Sequence, residues 1–242
     1  MKIGLIGYGK MGKAIERIAI ERGHEIVFKA DSTNTLENCD LSAAAVAIEF
    51  TQPLLAANHI IQCAQANLPV VVGTTAWLKD FPAVAQEITD YDGTLLYASN
   101  FSVGVNILFD INEKLAALMG HQPAYHVALE EIHHTQKLDA PSGTAVTIAE
   151  GIIKEHGSYT EWKSETGSAP QTKATEIPIT ALREPNVPGT HIITYTSEID
   201  TLTLSHVAHS RDGFALGAVL AAEFINGKKG IFTMKDVLNQ TI

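Results

Sequence analysis

Hydrophobic positions fall into two regimes along the chain. In the first half, short apolar runs alternate with segments at helical spacing. Residues 2–6 read as a strand, and after a glycine-rich turn Met11, Ile15, Ile18 and Ala19 share a helical face up to Gly23. A second strand is expected at 25–29. The run 44–50 is apolar almost throughout, as in a parallel strand buried on both faces. Helices are expected at 54–66 and within 79–90, and strands at 69–72 and 95–98. The polar link 34–40 is too short for a full crossover helix.

From about residue 104 the pattern changes. One long helix is expected over 105–119, with Ile107, Ile111, Leu115 and Leu118 as its apolar stripe. In 126–132, Val127, Leu129 and Glu131 alternate against His126, Ala128 and Glu130, a strand with unequal faces. A helix opens at Ser142 and continues through 145–155, whereas 156–173 is polar and reads as a long mobile excursion. Strands at 175–182, 190–196 and 201–209, joined by turns at 185–189 and 198–200, predict a largely antiparallel sheet. A helix at 213–226 and an amphipathic tail at 230–238 return to the first half. The fold class that follows is α/β. An N-terminal Rossmann-like parallel-sheet domain (1–103 with 213–242) carries an α+β domain with a mainly antiparallel or mixed sheet (104–212).

Composition narrows the function. A net charge of −10 argues against nucleic acid. Glu49 and Glu223 break the longest apolar runs too early to span a bilayer, and a strand starts directly after Met1-Lys2, leaving no room for a signal peptide. Cys39 and Cys63 stand in no metal-ligand spacing, so reduced thiols in the cytoplasm are expected and no metal is.

Two stretches carry chemistry. The first is Gly7-Tyr8-Gly9-Lys10-Met11-Gly12 between strand and helix, with Asp31 at the end of the next strand. Strand, G-x-G-x-x-G, helix, strand and acid form a dinucleotide fingerprint, whose glycines bring backbone to a pyrophosphate. Asp31 would accept from ribose hydroxyls and repel a 2′-phosphate, although a strand-end aspartate also caps turns. Lys29, on the same strand face, would partly compensate. Phe50-Thr51, Gly73-Thr74-Thr75 and Ala98-Ser99-Asn100-Phe101 follow strand C-termini, the edge where open α/β sheets bind ligands.

The second stretch runs from Glu131 to Ala145. His133 exchanges protons near neutral pH, Lys137 brings a cation, and Ser142-Gly143-Thr144 offers backbone N–H groups at a helix start. Together they suit a carboxylate substrate that must be protonated. Ser142 lacks a nucleophile elbow and reads as an N-cap. Asp139 fits no metal spacing and shapes the loop before Pro141. Neighbours on an extended chain face opposite ways, so the residues alone do not say which of His133 and His134 meets the ligand.

In this order the motifs, with Phe50-Thr51-Gln52-Pro53 and Ser210-Arg211, resemble the dihydrodipicolinate (4-hydroxy-tetrahydrodipicolinate) reductase family, across nearly the whole chain. That family reduces a cyclic dicarboxylate on the route to diaminopimelate and lysine. The resemblance implies His133 as proton donor or acceptor, Lys137 as proton donor, and His134, Gly143 and Thr144 as carboxylate contacts. Cofactor contacts are implied at Gly7–Gly12, Asp31, Phe50, Thr51, Gly73–Thr75 and Ala98–Phe101, and a substrate-loop role at Arg211. A homotetramer built through the C-terminal sheet is also implied. Ser32 stands where NADPH-using members carry an arginine, so NADH should serve at least as well as NADPH. The alternatives are a related oxidoreductase on another carbonyl or imine acid, and a non-catalytic dinucleotide sensor. A sensor would have no need of His133, Lys137 and Gly143-Thr144.

Overall fold

The computed structural model describes residues 1–210 and 212–239. The chain divides into two compact units, Met1–Val103 with Asp212–Ile242, and Gly104–Arg211. The first opens with β1 (Lys2–Ile6), α1 (Lys10–Glu21), β2 (Glu25–Ala30), β3 (Val46–Glu49), α2 (Pro53–Gln65), β4 (Val70–Val72), α3 (Phe81–Asp90) and β5 (Thr94–Tyr97). Its strands are all parallel. Strand alternation divides the core into two layers. Ile3, Leu5, Val46, Ile48, Val71 and Leu96 pack on one face of the sheet. Ile6, Ala47, Val70, Val72 and Leu95 pack on the other, beneath Ala56 and Ile60 of α2 and Val84 and Ile88 of α3. Between β2 and β3 the short polar link forms only two single 3₁₀ turns, Leu36–Asn38 and Leu41–Ala43.

The second unit contains α4 (Val103–Met119), β6 (His126–His133), α5 (Gly143–His156), β7 (Glu161–Thr166), β8 (Glu176–Arg183), β9 (Thr190–Thr196) and β10 (Thr201–Val207). Its sheet runs in the order β10-β9-β6-β8-β7. Two features differ from expectation, and the sheet takes one of its two expected forms. The polar 156–173 segment contains β7, an edge strand of mostly polar residues whose pairing with β8 no apolar alternation announces. The sheet is mixed, as the fold class allowed: β10-β9-β6 is antiparallel and β6-β8-β7 is parallel. The cause is β6, which separates the successive strands β8 and β9. Finally, α4 buries Val105, Leu108, Asn112, Ala116 and Met119, leaving Ile107, Ile111 and Leu118 at 44%, 43% and 68% exposure. The core side is polar in part because Asn112 Nδ2 donates to Ile148 O at 3.0 Å, where Gly151 lets α5 come close.

The chain then returns to the first unit through α6 (Asp212–Ile225), β11 (Gly230–Phe232) and α7 (Met234–Leu238). β11 pairs with β5, completing a six-stranded parallel sheet in the order β11-β5-β4-β3-β1-β2. α6 lies close because it buries small residues: Ala215, Gly217, Ala218, Ala221 and Ala222. A Cβ on Gly217 would stand 1.7 Å from the carbonyl oxygen of Phe101, so backbone itself blocks any larger residue. Gly217→Ala is therefore expected to lower stability by about 1–3 kcal/mol, as overpacking of a dense core does. An unchanged urea midpoint would contradict this packing.

Candidate active site

In the first unit the glycine-rich turn is shaped by backbone contacts. Gly7 has φ +96°, and a Cβ there would stand 2.0 Å from Phe50 O. At Gly12 a Cβ would meet Gly7 O at 2.3 Å, whereas Gly9 faces open space. That is the division of roles a dinucleotide turn needs: tight turn, open approach, close helix packing. No side chain caps the start of α1 at Gly9, leaving this helix end suited to a pyrophosphate. Gly7, Tyr8, Gly9, Asp31, Phe50 and Thr51 line one hollow. Lys10, Met11, Gly73, Thr74 and Thr75 line a second, which shares Gly9, Phe50 and Thr51. Thr51 N donates to Thr74 Oγ1 at 2.7 Å, tying two strand ends together. Ala98–Phe101 follow β5 at the same sheet edge, and the Phe101 ring packs 5.8 Å from that of Phe50. These residues fit a dinucleotide.

Asp31 also does what a turn aspartate does. Its Oδ1 accepts from Thr33 N, Thr33 Oγ1 and Asn34 N at 2.7, 2.7 and 3.0 Å. These bonds hold the carboxyl below its usual range, so it stays ionised while it lines the hollow.

In the second unit, β6 places Glu131 and His133 on its covered face, two residues apart. Register sets His191 of β9 beside Glu131 and Arg183 of β8 beside His133. Glu131 is fully buried; Oε2 lies 2.9 Å from His133 Nδ1, and Oε1 lies 3.1 Å from Arg183 Nη2. The His133 and His191 rings meet edge-on with centroids 5.1 Å apart. Ser142 caps α5 by accepting from Ala145 N at 3.2 Å, and its hydroxyl lies 3.2 Å from His191 Nε2. A Cβ on Gly189 would stand 3.0 Å from His133 Nε2, so only glycine leaves that nitrogen uncrowded.

His134 faces elsewhere, into a hollow lined with Thr135, Gln136 and the 185–188 turn. Lys137 Nζ is held 2.8 Å from Asp139 Oδ2, and the Asp139 carbonyl accepts from Arg183 Nη2 at 2.7 Å. Gly143 and Thr144 form the first turn of α5, with open space beside Gly143. Arg211 lies outside the described residues. Four residues of this cluster are not among the expected ones: Glu131 as a partner of His133, and Arg183, Gly189 and His191. The i, i+2 spacing of Glu131 and His133 was a usable signal; the other three arrive through strand pairing. The ligating atoms of Glu131, His133 and His191 lie within 4.8 Å of one another. Glu131 is nevertheless already met by His133 and Arg183, and His191 by Ser142.

The model of the dihydrodipicolinate reductase N-terminus matches residues 1–101, and that of its C-terminus matches 104–238. The chain belongs to the dihydrodipicolinate reductase family. A 4-hydroxy-tetrahydrodipicolinate reductase of Christiangramia forsetii is 48% identical over 99% of this chain and 98% of its own length. One of Alkaliphilus metalliredigens is 35% identical over 96% of both chains. The solved dipicolinate-bound reductase of Paenisporosarcina superposes with a TM-score of 0.77 at 22% identity, covering 96% of this chain and 97% of its own. At that identity it attests the fold, a Rossmann-like parallel sheet with a second, mixed-sheet unit.

Electrostatics of the reductase cluster predict acid lability. Burial pushes the His191 imidazole down to about 3, with nearby His133 adding to the effect. Burial acts to raise the Glu131 carboxyl, but His133, Ser142 and Arg183 outweigh it and hold the group at about 2. Both groups bind protons more readily unfolded than folded, so stability is lost on acidification. The His191 share is complete above 6.5, its ordinary value, and is lost down to about 3. The Glu131 share is complete above 4.5 and is lost down to about 2. Urea unfolding should show stability falling by up to about 1.4 kcal/mol per pH unit for each proton taken up. His191→Asn should flatten the arm between about pH 6.5 and 5, where Glu131 contributes little. An arm of unchanged slope in that variant would refute burial of neutral His191 as its source.

Proposed function

We propose that this chain reduces 4-hydroxy-tetrahydrodipicolinate to tetrahydrodipicolinate with NADH or NADPH, in the cytoplasm, on the route to diaminopimelate and lysine. The full-length relatives carry that activity in their names, and the cluster at the end of β6 suits it. Among the described residues, no helix is long and apolar enough to cross a membrane. The observation that carries the reading is the buried Glu131–His133 pair beside the N-terminus of α5. A sensor of dinucleotides has no use for it.

In this reading the first unit binds the cofactor through Gly7–Gly12, Asp31, Phe50, Thr51, Gly73–Thr75 and Ala98–Phe101. When bound, the reduced nicotinamide supplies the hydride. Glu131 engages Nδ1 of His133 and so leaves Nε2, beside Gly189, as the atom that gives or takes the proton. Lys137, positioned by Asp139, is the second proton donor and meets a substrate carboxylate. The first-turn N–H groups of Gly143 and Thr144, with the helix dipole, receive a carboxylate, and His134 contributes a further contact. NADH serves at least as well as NADPH, because ionised Asp31 followed by Ser32 repels a 2′-phosphate.

Positioned acid catalysis is worth about 10²–10⁴-fold in rate. His133→Gln should lower kcat by about that range with KM nearly unchanged, while Lys137→Ala should damage both kcat and KM. His134→Gln should raise KM more than it lowers kcat. The double variant His133→Gln/Lys137→Ala should lose less than the two separate losses combined, because residues acting as a unit are not additive. The measurement is NADH oxidation at the nicotinamide absorbance with the dihydrodipicolinate synthase product. If both single variants kept more than about a tenth of wild-type turnover, the acid would be elsewhere.

A homotetramer built through the second unit's sheet belongs to the same proposal. Alternate residues Ala128, Ile132, Leu182 and Ile192 point away from the covered face and remain partly accessible. Apolar surface of this kind favours association. Light scattering at micromolar concentration should report four chains, and a stable monomer would exclude the assembly.

A further inference from the structure

Lys29 was the one residue expected to soften the rejection of a 2′-phosphate, and the structure gives its charge to another partner. Its Nζ lies 2.5 Å from Glu16 Oε1. It also donates to Tyr8 Oη at 3.1 Å and stands over the Tyr8 ring, 4.4 Å from the centroid. Tyr8 Oη in turn donates to Glu16 Oε2. The three side chains close a ring of contacts joining the glycine-rich turn, the first helix and the second strand. Glu16 belongs to no dinucleotide motif; it lies on α1 one turn beyond Gly12. It is mostly covered, with its side chain 20% exposed. Each partner stabilises the charged form of the other, Glu16 being held below its usual range and Lys29 above. Lys13 stands farther off, 6.0 Å from the same ring.

Tyr8 and Asp31 line the same hollow, and Lys29 lies two residues before Asp31 on β2. A lysine there, free to turn, would be a point charge for a phosphate on the adjacent ribose. Bound to Glu16 it is neutralised, and engaging a phosphate would require breaking the pair and leaving a half-buried carboxylate without its cation. We propose that Glu16 is a specificity-determining residue, which withholds Lys29 from the cofactor and so disfavours NADPH independently of Asp31. The inference rests on the reading of this hollow as the dinucleotide site.

Its test is cofactor binding, not turnover: dissociation constants for NADH and NADPH from nicotinamide fluorescence. The proteins are wild type, Glu16→Gln, Lys29→Met and the double variant. Glu16→Gln keeps the side-chain shape, removes the charge and should raise NADPH affinity relative to NADH about tenfold, the scale of one charge-assisted contact. Lys29→Met should abolish that gain in the Glu16→Gln background, yet move the ratio less on its own. A ratio unchanged by Glu16→Gln, or a gain that survives Lys29→Met, overturns the inference while leaving the dinucleotide site standing. A folded wild-type chain that binds neither cofactor overturns both.

Discussion

The buried carboxylate of Glu131 is the constraint around which the second unit is arranged. A fully buried anion is tolerable only where charge and hydrogen bonds compensate it. Here two side chains do so from two directions, the Arg183 guanidinium on one oxygen and the His133 ring on the other. Neither can be removed without leaving the carboxylate under-compensated in a low-dielectric setting. The same compensation orients the His133 ring.

Strand register delivers these partners. β6 sits between β9 and β8, so a residue on β6 acquires a neighbour from each side. His191 comes from the antiparallel side and Arg183 from the parallel side. A one-residue slip of β6 would turn Glu131 and His133 to the other face together with Val127 and Leu129. The apolar alternation that buries the strand therefore also protects the site. α5 closes the cluster from above, with Ser142 serving at once as its N-cap and as a polar neighbour of His191.

How much of this was legible in the chain depended on the range of the interaction. The strands and helices of the first unit were readable because apolar runs and helical stripes are local patterns, and the glycine motif declares its backbone needs directly. The alternation of β6 and the capping role of Ser142 were readable for the same reason. β7 escaped because an edge strand of polar residues is defined by its partner, not by its own periodicity. On α4 two faces compete. The visible stripe of Ile107, Ile111 and Leu118 lost to one whose polar member, Asn112, gains its partner only when α5 packs beside it. Arg183, Gly189 and His191 lie about fifty to sixty residues from Glu131 and His133 in sequence, and the pairing of β8 and β9 with β6 brings them near. Lys29 shows a subtler limit. Its strand face was readable, but which charge it would meet depended on how α1 lies against β2.

The two units thus build their sites from different materials. In the first, the turn is made by backbone approaching backbone, Gly7 against Phe50 and Gly12 against Gly7. Side chains stand around it, Tyr8 and Asp31 lining its hollow and Lys29 bonded to Tyr8. Substitutions at the glycines should therefore act through geometry. In the second unit the site is the side chains, and their charges are part of the core. Altering one changes the protonation balance, the packing and the stability together. Varying Glu131 or His191 therefore disturbs the core itself, whereas exposed Asp31 can be replaced without reaching it.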